Sequence, residues 1–342
     1  MTTEAGMTSQ AKPASRNTFA LMGLAALLIV NSHLEPIYPL SFMAGDGLVG
    51  NLVFFVVSGF GVTMGQMHRP YALIPFYLRR IWRIYPSVVA AVLVGLLLHT
   101  LHFDFGQPAQ WLKKLIWPTD YGFIAKIIIF YPLLWGLARI KVRVMKAFVT
   151  GLAAVWFGVW IFIQQSAETS NLSLGQLPGE LWWSFFLLAT CLGALIAREP
   201  IDVKGRRIWF IGAPVAALYL GLKIELALRL FTTPIIFSSA LLGGILQVLA
   251  LALVVVLLVG IHPLNQFLAK LKMQSVLEWV GKASLQLYLL HTHVLDWMKA
   301  WPLPWPARLV LVFALSVALA ELVLGLLNLL PQPNQQKAEG LS

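Results

Sequence analysis

The sequence predicts an all-α, polytopic membrane helix bundle with about ten transmembrane helices. Three observations lead there. Of 342 residues, 59% are hydrophobic and only 11% charged, whereas soluble domains run about 45–50% apolar and about 25% charged. So little charge cannot cover a water-facing surface, which excludes a soluble globular enzyme. A chain this apolar would not stay solvated as a disordered one either. The apolar residues also fall into long runs separated by charge, and the Lys and Arg residues gather in alternate gaps between those runs.

The runs read as 18–34, 47–67, 81–102, 123–138, 147–164, 181–197, 208–222, 235–260, 276–298 and 307–330, against the roughly 20 residues that a bilayer core requires. The first follows Lys12 and Arg16 and ends in Asn31-Ser32-His33-Leu34-Glu35. No small-residue cleavage site follows, so it is expected as a retained helix and not a secretory signal. The second begins after Asp46, and its Gly47, Gly50, Ser58, Gly59, Gly61 and Gly65 allow close helix approach. The third follows a basic stretch and runs out to His99, His102 and Asp104. The fourth is short and carries Lys126 and Pro132. The sixth holds the single Cys191, which has no partner and so excludes a disulfide framework. The eighth is long enough to tilt. The ninth runs out to His291, His293 and Asp296. The expectation is one membrane domain, 18–330, between polar tails at 1–17 and 331–342.

Orientation follows from charge. With the N-terminus in the cytoplasm, 18 of the 25 Lys and Arg residues fall on the cytoplasmic side. The other seven are Lys113, Lys114, Lys126, Lys223, Arg229, Lys299 and Arg308. By the positive-inside rule this predicts a multi-pass protein of the plasma (inner) membrane with both termini cytoplasmic. The net charge of +11 then reflects insertion into a lipid bilayer, and no nucleic acid is expected as a partner.

Polar groups within spans are costly and therefore candidates for function. At about 1.5 Å per residue, His33 reaches the outer end of the first helix, with Glu35 just beyond. Asp46, Asn51 and Ser58 descend from the outer face along the second helix, and Tyr288 and His291 belong to the ninth. These residues predict a base-bearing pocket toward the outside, with His33 and Glu35 in it. His99, His102, His293 and Asp296 read as interfacial and solvated. The histidines show no His-Glu-x-x-His pattern and have no Cys pair beside them, so no metal site is expected. Toward the cytoplasm stands Phe76-Tyr77-Leu78-Arg79-Arg80-Ile81-Trp82-Arg83-Ile84-Tyr85-Pro86. If helical, Arg79 and Arg83 stack one turn apart and Arg80 joins Arg83 on a neighbouring ridge. Three guanidiniums so placed suit phosphate oxygens.

Three patches together resemble the integral-membrane acyltransferase-3 family. One is the His33 that closes the first helix. Another is Gly47-Leu-Val-Gly50-Asn-Leu-Val-Phe54-Phe55-Val-Val-Ser58-Gly59-Phe60, continued by Arg79-Arg80-Ile-Trp-Arg83-Ile-Tyr85-Pro86. The last is Gly281-Lys-Ala-Ser284-Leu-Gln-Leu-Tyr288-Leu-Leu-His291. The resemblance implies a membrane O-acyltransferase that takes an acyl group, by default acetyl, from acyl-CoA (acetyl-CoA) as co-substrate, with no bound cofactor. The acceptor it implies is a hydroxyl of a sugar or glycan, free or lipid-linked, such as an exopolysaccharide intermediate. It implies that His33 is catalytic and that Arg79, Arg80 and Arg83 serve the donor. His33 would act as general base, with Glu35 or Asp46 orienting its imidazole, or would itself carry the acyl group. Many members have a basic residue where this chain has Met22, and the context of His33 also differs, which suggests a subgroup with its own acceptor. The chain is expected to be the bare ten-helix form. A transporter or flippase of a glycan or lipid intermediate is the alternative class, but no paired broken helices in two halves support it.

Overall fold

The first two apolar runs fold as α1 (Phe19–Ser32) and α2 (Gly47–His68) in the computed structural model, which describes residues 17–40, 43–104, 106–167, 179–201, 207–229 and 239–329. Then come α3 (Leu73–Leu97), the short α4 (Pro108–Trp111) continued by a π-helical turn (Leu112–Ile116), and α5 (Gly122–Leu137). They are followed by α6 (Val142–Ala167), α7 (Gly179–Arg198), α8 (Arg207–Arg229) and α9 (Ser239–Val259). The chain finishes with α10 (Ile261–Lys270), α11 (Gln274–Lys282), α12 (Ser284–Met298) and α13 (Trp305–Asn328). Among the described residues there is no strand. Six helices, α2, α3, α6, α8, α9 and α13, are long and apolar enough to cross a bilayer. Both α1 and α5 are shorter apolar helices, as is the Trp182–Arg198 part of α7. Both expected tails lie largely outside the described residues, and with them Lys12, Arg16 and Lys337; so do Lys204 and Arg206.

Two expected segments differ most from the helices found, while others shift at their ends, as where α6 starts at Val142 and α3 stops at Leu97. The third begins at Leu73, eight residues before the expected 81, so the basic stretch is the first part of α3 and not a loop ahead of it. Arg, Leu and Tyr sustain a helix, and long cationic side chains reach water from a membrane edge. The ninth is interrupted at Ala283, where φ is −96° and ψ 12°, and becomes α11 and α12. The break lies just past Gly281, where α11 meets α1.

α2 is the centre of the bundle: 72% of its membrane-length window is buried, against 17% for α8 and 22% for α13. Lipid offers no hydrophobic drive for helix association, so membrane helices pack through small residues. Two reciprocal glycine pairs do this here. A Cβ on Gly59 would stand 1.9 Å from the Thr190 carbonyl oxygen, and one on Gly193 1.9 Å from that of Val56. In the same way Gly23 faces the Leu277 carbonyl at 2.0 Å and Gly281 that of Phe19 at 1.9 Å. The first pair joins α2 to α7 and the second joins α1 to α11. At the far end of α1, Gly47 lies against Ser32 and Gly50 against the Ala25 carbonyl, which brings the start of α2 beside His33. Gly61 and Gly65 do not serve a helix contact. No atom lies within 4 Å of a Cβ on Gly61, and the nearest to one on Gly65 is an Arg80 nitrogen. Large apolar side chains stay exposed on the outer helices, among them Leu78 and Leu93 on α3, Phe210 on α8 and Leu322 on α13. Surfaces of this kind face lipid.

Candidate active site

His33 caps the C-terminal end of α1. Its Nδ1 lies 2.9 Å from the Ile29 carbonyl oxygen and 3.3 Å from Nε2 of His291. Nδ1 of His291 lies 3.1 Å from the Leu287 carbonyl. A carbonyl oxygen only accepts, so each Nδ1 carries a hydrogen. The lone pair of His291 Nε2 then accepts from His33 Nδ1–H, and in the neutral His33 ring Nε2 is the nitrogen that carries no hydrogen. The rings meet edge to face, with centroids 4.8 Å apart. His291 is buried and His33 exposed, so the pair presents one free basic nitrogen at the surface of the bundle.

Neither expected carboxylate touches this imidazole. Glu35 is exposed and makes no hydrogen bond or ion pair among the described residues. Asp46 adopts a left-handed conformation with φ 72°, and its Oδ1 accepts from Lys223 Nζ at 2.6 Å and Tyr219 O–H at 3.0 Å. The orienting contact expected of a carboxylate is made by His291. Asn31 fixes the loop that follows: it donates to the Met43 and Gly45 carbonyls and accepts from Tyr38 O–H at 2.6 Å. Asn51 is half-buried one turn into α2.

His293 is buried, not solvated as the sequence suggests. It stands between Thr100 Oγ1 and Tyr121 O–H, each 3.0 Å away. Burial, reinforced by Asp120 and Tyr288, holds the Tyr121 phenol well above its ordinary pKa. It therefore stays protonated and donates to His293 Nε2. His291 and His293 thus face opposite neighbours, α1 on one side and the loops flanking α3 and α5 on the other, as an i, i+2 spacing requires on a helix. Among the described residues no three His, Cys, Asp or Glu side chains converge as a metal site would need.

At the opposite end of α1 and α2 lies a cavity of about 940 Å³. Arg69, Arg79, Arg80, Arg83 and Lys282 line it, and no carboxylate does among the described residues. Arg79 donates to Tyr71 O–H at 2.9 Å and lies over its ring at 4.1 Å. Arg80 and Arg83 have no hydrogen-bond or ion-pair partner among the described residues, though Arg80 lies over the Phe76 ring at 5.6 Å. Met22 lines the same cavity as Lys282, a cation that sequence reasoning counted only toward orientation. Ser58 belongs to this cavity and not to the histidine end.

Three aromatic rings separate the two features. Phe54 and Phe123 line the inner end of the cavity. Both pack on Tyr288, at 5.9 and 5.8 Å, and the Tyr288 ring stands 6.2 Å from His291. The Tyr288 hydroxyl accepts from the Phe123 N–H at 3.0 Å, which fixes the ring in place. Met22 and His33 are eleven residues apart on α1, about 16 Å along its axis. The arrangement can hold a polyanion at one end and abstract a proton at the other.

Residues 20–324 match a family model described as an acyltransferase domain. No curated protein and no solved structure matches the chain.

Proposed function

Because the chain belongs to the acyltransferase-3 family, we propose that it is a ten-span O-acyltransferase of the inner membrane with both termini cytoplasmic. In this reading it moves an acetyl group from cytoplasmic acetyl-CoA to a hydroxyl of a sugar or glycan on the outer side. The observation that carries this reading is the pairing of His33 with His291 at one end of α1 and, at the other, a basic cavity that no carboxylate lines among the described residues.

The CoA phosphates bind Arg80 and Arg83 through charge-assisted hydrogen bonds, with Lys282 opposite and Arg79 held ready on Tyr71. The pantetheine arm extends along α12 toward Tyr288. The acceptor hydroxyl approaches His33 from the loop side. Nε2 of His33 takes the hydroxyl proton as the oxygen bonds to the thioester carbonyl carbon. The C–S bond breaks, and the proton passes to the departing thiolate. His291 holds Nδ1–H throughout, which keeps Nε2 the basic nitrogen, the role that a buried partner plays for a catalytic histidine.

Purified protein given labelled acetyl-CoA and candidate glycans should form an O-acetyl product. A general base contributes about 10²–10⁴-fold in rate, so His33→Ala should lose at least about 100-fold in single-turnover transfer while donor affinity is retained. Near-normal transfer by His33→Ala would overturn the mechanism.

A further inference from the structure

The cavity holds one polar arrangement that phosphates do not explain. Gln286 and Ser87 both line it, and they are 6% and 2% exposed. Gln286 Nε2 donates to Ser87 Oγ at 3.0 Å. That bond fixes the side-chain amide and leaves Gln286 Oε1 buried with no hydrogen-bond partner. Native proteins rarely leave a buried acceptor unpaired, so this one calls for a donor from outside the chain. Because Ser87 Oγ accepts from Gln286, its own O–H is free to donate. The pair thus shows an incoming molecule one acceptor beside one donor, the complement of a secondary amide.

Position along the helices narrows the ligand. Ser87 is four residues past Arg83 on the same face of α3, about 6 Å deeper. Gln286 precedes His291 by five residues on α12, about 7.5 Å along the axis. The sequence of groups from cavity to histidine is therefore guanidiniums, amide-recognising pair, aromatic rings, imidazole. An acyl-CoA presents its groups in that order: phosphates, the two amides of the pantetheine arm, and the thioester. Acyl phosphates and fatty chains bring no amide and would leave Gln286 Oε1 unpaired.

We propose that Gln286 and Ser87 recognise a secondary amide of the donor's pantetheine arm, with Gln286 Oε1 accepting the amide N–H and Ser87 Oγ–H donating to the amide carbonyl. This rests on the acyl-CoA reading above and makes the site selective for pantetheine-borne thioesters.

The test compares acetyl-CoA with two analogues, each having one pantetheine amide replaced by an ester. The ester keeps the carbonyl and lacks the N–H. Affinities are measured on the full-length protein in lipid nanodiscs. One analogue should bind wild type about 3- to 10-fold more weakly than acetyl-CoA, the scale of a single hydrogen bond. Gln286→Met should bind acetyl-CoA about as weakly as that analogue and no longer tell the two apart. Arg80→Ala should weaken all three ligands alike and keep the discrimination. If wild type binds both esters as well as acetyl-CoA, the amide site is overturned without recourse to any variant. Full discrimination by Gln286→Met would overturn it too. If wild type fails to bind acetyl-CoA at all, the acyl-CoA reading itself falls, a result distinct from binding without discrimination.

Discussion

In the proposed mechanism His33 is a base with a defined reactive nitrogen, because Ile29 O and His291 Nε2, with Ser32 Oγ more distant, compete for the hydrogen on the other one. Both histidines stood out in the sequence as imidazoles within apolar runs. Their pairing did not, because 258 residues separate them and nothing in either run names the other. The nearby carboxylates Glu35 and Asp46 were the natural sequence choice for an orienting group. Asp46 is instead taken by Lys223 and Tyr219, a contact also remote in the chain. A positioning role for His291 has a specific consequence. His291→Leu should lower kcat about 10- to 1,000-fold, less than loss of the base itself, and leave the KM for acetyl-CoA nearly unchanged. His291→Gln supplies an amide oxygen as acceptor and should recover part of kcat. Steady-state kinetics of the two variants beside Glu35→Gln, which should resemble wild type, check this. An equal loss in Leu and Gln variants would reduce His291 to packing.

At the level of helices, the apolar runs were legible because hydropathy and length report burial in lipid directly. What they do not report is partnership. Gly47, Gly50, Gly59, Gly61 and Gly65 read as one small-residue stripe, yet the structure divides them among α1, α7 and the cavity. The early start of α3 was hidden because Arg79, Arg80 and Arg83 look like a loop to any hydropathy measure. The break at Ala283 was hidden because both halves are apolar. The glycine pairs predict a sharp contrast in stability. A methyl group on Gly59 or Gly193 would overlap a backbone carbonyl at 1.9 Å, which no rotamer change relieves. Gly59→Ala and Gly193→Ala should each lower the thermal midpoint in detergent, with a destabilisation that exceeds the about 1–3 kcal/mol of ordinary overpacking. Gly151→Ala on α6, with no atom within 4 Å of its Cβ, should be neutral or gain up to about 1 kcal/mol from helix propensity. Equal midpoints for all three would refute close packing of α2 on α7.

For the whole molecule, the charge asymmetry of the sequence gives the proposed orientation, and the two ends of the structure supply the positions that test it. Trp135 and Arg139 both donate to the Tyr71 carbonyl, which ties the loop before α6 to the cavity end. The loop after His33 is at the other end. A cysteine at position 141 should therefore react with an impermeant thiol reagent only from the cytoplasmic side, and one at position 35 only from outside. Labelling of both from one side would end the ten-span topology.

That orientation gives the three rings of Phe54, Phe123 and Tyr288 a further meaning. A protein that admits a hydrophilic donor from one compartment and a hydrophilic acceptor from the other has water at both mouths. Were the mouths joined, protons would run through it down the electrochemical gradient, and an abundant enzyme would discharge the membrane that houses it. Under the proposed function, the aromatic rings would insulate one mouth from the other. In that reading an acyl group is handed across while no ion current flows, and the membrane potential stays.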